Sequence, residues 1–117
     1  MQKNSVNKVF LIGRLGADPQ ARYTQSGRPT ASFSLATNET WLQKNGNQGE
    51  HTEWHAVVAW DKLAEFAQQH LYKGQLVSIE GRIHTRNWEN KEGKKGGKTE
   101  IICSDVVPLE WKKPSEK

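Results

Sequence analysis

The sequence predicts a small all-β domain, a five-stranded Greek-key barrel with one short α-helix between the third and fourth strands. Three observations lead there. The 117 residues, 13.3 kDa, suffice for one domain and leave no room for a second. Apolar and polar residues alternate at period two along several stretches, and only one stretch spaces its apolar residues as a helix does.

The first strand is Val9 to Leu15, an apolar and β-branched run stopped by Gly16 and Asp18-Pro19, and Arg22 to Gly27 closes a turn. From Thr30, the series Ala31, Ser32, Phe33, Ser34, Leu35 alternates cleanly and should end near Glu39 or Thr40. Lys44 to His51, with Asn45-Gly46 and Gly49, predicts a mobile loop. A third strand spans Glu53 to Trp60. Asp61 then caps a helix carrying Leu63, Phe66, Ala67 and Leu71, with Gly74 suited to the C′ position. Leu76 to Trp88 returns to alternation, with Val77, Ile79 and Ile83 on one face and Gly81 marking a bend or bulge. Asn90 to Lys98 reads as a hairpin tip before a last strand from Thr99 to about Val107, and the tail from Lys112 is polar and frayed. This element order is that of an OB-type barrel.

Leu, Ile, Val and Phe together number 23, so the core must be small and self-association is a natural supplement to stability. The net charge of +4 and pI near 9.3 favour an anionic partner mildly. No apolar run approaches the roughly 20 residues of a membrane span, and Met1 to Lys8 is polar, so the expected address is cytoplasmic with no membrane partner. A lone Cys103 forbids an internal disulfide and a Cys-based zinc cage. The chain also lacks a P-loop, a Gly-x-Ser-x-Gly and a His-Glu-x-x-His. His51 and His55 would stand about 13 Å apart in a strand, too far for a shared metal. A non-enzyme without cofactor or metal is expected.

Tryptophan is over-represented, 5 against 3 Phe and 2 Tyr. Strand parity gives this a geometry. Trp54, Ala56, Val58 and Trp60 share one face of their strand, opposite His55, Val57 and Ala59. Trp88 shares the polar face with Glu80, Arg82, His84 and Arg86. An indole among arginines suits a surface on which a base stacks while a phosphate meets the neighbouring cation. Trp41 reads two ways: parity with Phe33 and Leu35 buries it, whereas a strand ending before it hands it to the loop. Trp111 reads as packing of the chain end or a subunit contact. Arg82, Arg86, Lys91, Lys94, Lys95 and Lys98 form a basic cluster beside Trp88.

Asn7-Lys8-Val9 through Gly13-Arg14-Leu15-Gly16, then Asp18-Pro19, Arg22-Tyr23 and Gly27, resemble the opening of bacterial-type single-stranded DNA-binding proteins. Leu35-Ala36-Thr37 with Trp41, Thr52-Glu53-Trp54-His55, Lys73-Gly74, Ile79-Glu80-Gly81 and Thr85-Arg86 with Trp88 continue the likeness over about positions 5 to 107. The resemblance implies an OB-fold domain over residues 1–110 with a polar tail at 111–117, usually a homotetramer, that coats single-stranded DNA in replication, recombination and repair. It places stacking aromatics at Trp41, Trp54, Trp60 and Trp88, and phosphate contacts at Arg22, Lys44, Lys62, Lys73, Arg86 and Lys94. His55 falls at a position resembling a subunit contact. Members typically continue into a Gly/Pro/Gln-rich linker and an acidic tip that recruits replication and repair proteins. This sequence stops at Pro114-Ser115-Glu116-Lys117, either truncated or a member without the tip. The alternative is a primosomal accessory OB-fold protein acting mainly through protein contacts. Such relatives keep fewer of the stacking aromatics.

Overall fold

A computed structural model describes residues 3–111. They form β1 (Val9–Leu15), β2 (Gln20–Tyr23), β3 (Pro29–Leu42), β4 (Gln48–Trp60), α1 (Lys62–His70), β5 (Leu76–Glu89) and β6 (Lys95–Pro108). The expected polar tail from Lys112 lies outside the described residues. Sheet order β1-β5-β6-β4-β3 closes through a β1–β3 pairing into a five-stranded barrel, with the parallel β4–β6 pair at Val57↔Ile101 completing the Greek key. The short β2 is an addition to the predicted set. It pairs with the start of β3 (Gln20↔Ser32 to Tyr23↔Pro29), and its all-exposed residues carry no alternation by which to recognise it.

Inward-facing side chains follow the predicted parity. Ala31, Phe33 and Leu35 of β3, Val57 and Ala59 of β4, and Val77 and Ile79 of β5 are buried together. Removing a fully buried side chain such as Leu35 costs about 2–5 kcal/mol. The bulge lies between Glu80 and Gly81, and the extra residue is Ser104 on β6, whose hydroxyl donates to the Glu80 carbonyl at 3.1 Å. It switches the inward set of β6 from Ile101 and Cys103 to Val106 and Pro108. Gly81 is needed there because a Cβ would run into the Ile102 carbonyl.

Helix α1 packs Ala64 and Ala67 into the core. Two of its predicted ends differ. Asp61 sits at φ 57 and makes no side-chain cap; its carboxylate instead accepts hydrogen bonds from Nε and Nη2 of Arg28 at 3.1 and 2.9 Å. The helix stops at His70, before Gly74, because Leu71 turns extended and buries its side chain. Gly74, at φ 86, serves the following turn, where its N–H donates to the Leu15 carbonyl at 2.8 Å. Trp111 packs edge-on against Phe66 and His70 of α1.

The β3–β4 and β5–β6 hairpins run on past the barrel as two arms. Of residues 44–51, expected as a loop, 44–47 form the turn and 48–51 are strand, with continuous register from Thr30↔Trp60 to Leu42↔Gln48. Strand β3 therefore ends at Leu42 rather than near Thr40. In an arm with solvent on both sides, nothing selects alternation, so the sequence there looks like loop. Both arms turn on three residues ending in glycine. Gln43 N–H donates to the Asn47 carbonyl and Asn90 N–H to the Lys94 carbonyl, each at 2.8 Å, with Gly46 and Gly93 at φ 85 and 82. No helix among the described residues is long and apolar enough to cross a membrane.

Candidate nucleic-acid interface

The outward face of β4 is the one that Trp54, Ala56, Val58 and Trp60 were expected to share, and both indoles stand on it. The same side of the barrel carries Arg22 and Tyr23 of β2, Arg82, His84 and Arg86 of β5, and Lys98 and Glu100 of β6. Together with Arg28 and Trp60 they line an open groove of about 870 Å³. The closed barrel explains the meeting: β4 joins β6 on one side and β3 on the other, and β3 brings β2. Alternate outward positions of β4, β5 and β6 thus converge with β2 on one wall.

Trp41, Trp54 and Trp88 are 47%, 59% and 52% exposed, large values for indoles. Trp41 obeys the parity of Phe33 and Leu35 without a bulge, yet is not buried, because the barrel has ended before the strand reaches it. Ile83 is exposed for the same reason, which corrects its placement among the apolar set. Trp60 is half-buried, with the Arg28 guanidinium carbon 4.6 Å from its ring centroid. Arg28 is held in turn by Asp61, whose carboxyl its hydrogen bonds keep below the usual aspartate range.

Of the six predicted cationic contacts, Arg22 and Arg86 lie in the groove beside Trp60. Lys44 and Lys94 sit in the turns of the two arms. Lys62 opens α1 and Lys73 follows it, both exposed and outside the groove lining, although the Lys73 N–H donates to Asp18 of the adjoining cleft at 2.7 Å. Arg28 and Tyr23 also line the groove and were not among the expected contacts. Their signal was faint: each belongs to a short polar hairpin whose second strand alone shows a period. Arg86 approaches the buried Glu100 at 3.8 Å, whereas Arg22, Arg82 and Lys98 form no ion pair among the described residues. His55 is half-buried on the opposite face of β4, with its Nε2 2.9 Å from the Thr37 hydroxyl. No group of three His, Cys, Asp or Glu side chains that could hold a metal occurs among the described residues.

Exposed rings and cations without ion-pair partners can stack planar groups and neutralise anions, and neither interaction depends on which base is present. Known proteins share this architecture. A family model described as the single-strand binding protein family matches residues 6–109. Single-stranded DNA-binding protein 1 of Chlorobaculum tepidum is 52% identical over 105 residues, 89% of this chain and 65% of that protein. The protein of the same name from Xylella fastidiosa is 46% identical over 114 residues, covering 97% of this chain and 84% of its own. Among solved structures, a Plasmodium falciparum SSB complex with ssDNA matches with a TM-score of 0.82 at 36% identity, covering 94% of this chain and 100% of that one. The chain thus spans about two-thirds of the length of the Chlorobaculum relative.

Proposed function

The chain belongs to the single-strand binding protein family, and on that premise we propose that it binds and protects single-stranded DNA without sequence preference in replication, recombination and repair. The observation that carries this is the combination described above, three exposed indoles and a groove in which Arg22, Arg82 and Lys98 form no ion pair among the described residues. Bases stack on Trp41, Trp54, Trp88 and the free part of Trp60. Phosphates meet Arg22, Arg86, Arg82 and Lys98 in the groove, Lys44 and Lys94 at the arms, and Lys62 and Lys73 as the strand passes α1. The role is binding rather than catalysis, in the cytoplasm.

The working unit is a homotetramer. Phe10 and Ile12 on the outer face of β1 stay exposed in the single chain, adjacent to the β5 and β6 rows that carry Ser78 and Val107. An apolar stripe of this kind is what a subunit contact covers. His55, anchored by Thr37, supports a second contact. Retention of all four tryptophans on exposed or half-exposed positions argues against an accessory protein working through protein contacts alone.

Titration with oligo(dT) while following tryptophan fluorescence tests the reading. Strong quenching is expected at low salt, with a log-log salt slope near −0.7 per phosphate, roughly −3 for four contacts. A flat salt response together with intact binding by the Trp54→Ala, Trp88→Ala double variant would overturn it.

A further inference from the structure

Within residues 38–54 every residue is exposed except Gly49, and within residues 82–99 every residue is exposed except Gly96. These two glycines are the direct cross-strand partners of Trp41 and Trp88. A methyl group placed on Gly49 would lie 2.5–2.8 Å from Cε2, Cζ2 and Nε1 of Trp41, and one on Gly96 would run into Cζ2, Cε2 and Cη2 of Trp88. Each indole therefore lies across bare backbone on the opposite strand. Trp54 does the same over Gly16, in the bend that follows β1, with its Cζ3 2.5 Å from where a Cβ would stand.

Backbone conformation does not require these glycines. Gly46 and Gly93 hold positive φ in the turns, but Gly49 and Gly96 are outside the positive-φ set and sit in unbroken ladder. A glycine inside a strand costs roughly as much as it does in a helix and leaves nothing to pack. What its absent side chain provides is room. An indole resting on glycine buries one face against backbone and keeps its other face open and level with the strand.

We propose that Gly49 and Gly96 are positioning residues for DNA binding, shelves that hold Trp41 and Trp88 flat in the stance a base needs. The inference rests on the stacking role proposed above. A side chain at either position would tilt the ring away from the ladder without touching the core, because both arms lie outside the barrel. Preorganisation would be lost while the fold stayed intact.

The test compares Gly49→Ala and Gly96→Ala with Gly97→Ala, a neighbour whose Cβ meets first the Asn87 amide oxygen at 3.2 Å and no indole. Each of the first two variants should weaken oligo(dT) binding about fivefold, the low end of what one stacked base contributes, with no fall in melting temperature; Gly97→Ala should bind as the parent does. In a Trp41→Ala background Gly49→Ala should have no further effect, and likewise Gly96→Ala with Trp88→Ala. Glycine variants that bind as tightly as the parent, while Trp41→Ala and Trp88→Ala bind weakly, would overturn the shelf and leave stacking standing. A glycine effect that persists without its tryptophan would overturn it equally. Full affinity in both tryptophan variants would remove the stacking reading and the shelf together.

Discussion

The β3–β4 arm and the β5–β6 arm share a turn, a ladder and a tryptophan lying over a glycine, yet they differ in charge. Residues 38–54 carry Glu39, Glu50 and Glu53 against Lys44. Residues 82–99 carry Arg82, Arg86, Lys91, Lys94, Lys95 and Lys98 against Glu89 and Glu92. The backbone repeats a tryptophan over a glycine in both arms, whereas positive charge is concentrated in one. The two contributions proposed for single-strand binding, rings and charges, can therefore be separated experimentally on this molecule.

The largest effect should come from the feature the arms share. Trp41→Ala and Trp88→Ala should each weaken oligo(dT) binding by about 1–3 kcal/mol, by similar amounts in the acidic and the basic arm, read by fluorescence anisotropy of a labelled strand. Trp60→Ala should cost less than either, since Arg28 already occupies part of its ring. A Trp41 effect far below that of Trp88 would show that charge governs the arms after all.

Salt should separate them next. Replacing Lys94, Lys95 and Lys98 together by Ala should flatten the log-log salt slope by roughly 2, about 0.7 per phosphate lost, while Lys44→Ala should flatten it by at most about 0.7. Equal changes would erase the distinction.

Acid tests the barrel against both arms. Hydrogen bonds from Arg28 hold the Asp61 carboxyl below its ordinary value, and those from Arg14 and then the Leu76 N–H do the same for Glu110. A carboxyl with a lowered folded value contributes stability that is complete above the ordinary carboxylate range and is lost as pH falls through and below that range. The melting temperature should therefore drop between about pH 5 and pH 2, and an Asp61→Asn, Glu110→Gln double variant should show a shallower acid response by calorimetry. These pairs lie at the barrel ends, so the change should leave the arm platforms untouched at neutral pH.

The smallest effect concerns Cys103. Burial pushes its thiol up to about 11, and its S–H donates to the Asp105 carbonyl at 3.2 Å. A thiol reagent at pH 8 should label the native protein slowly, with or without bound oligo(dT), and rapidly in denaturant. Protection that appeared only with DNA would extend the contact surface beyond the groove and the arms.

Much of the barrel was legible because its strands have one wet face and one dry one. Ala31, Phe33 and Leu35, or Val57 and Ala59, announce themselves by period two, and Trp54 and Trp60 follow on the other side. The arms and β2 were hard to read because solvent on both sides removes that pattern. Arg28 over Trp60, and the loss of Asp61 as a cap, were invisible because the two residues that meet are far apart in sequence.

The succession of the five barrel strands, the glycine-bearing turns and the side of each strand on which a residue points were readable from the sequence alone, since these depend on neighbours along the chain. Whether anything covers that side depends on the folded barrel. Trp41 and Ile83 have inward parity and stand in solvent, and β6 changes parity at Ser104 opposite Gly81. Periodicity encodes direction locally, but burial requires a facing surface, and the facing surface here is set by where the barrel closes and where its two hairpins leave it.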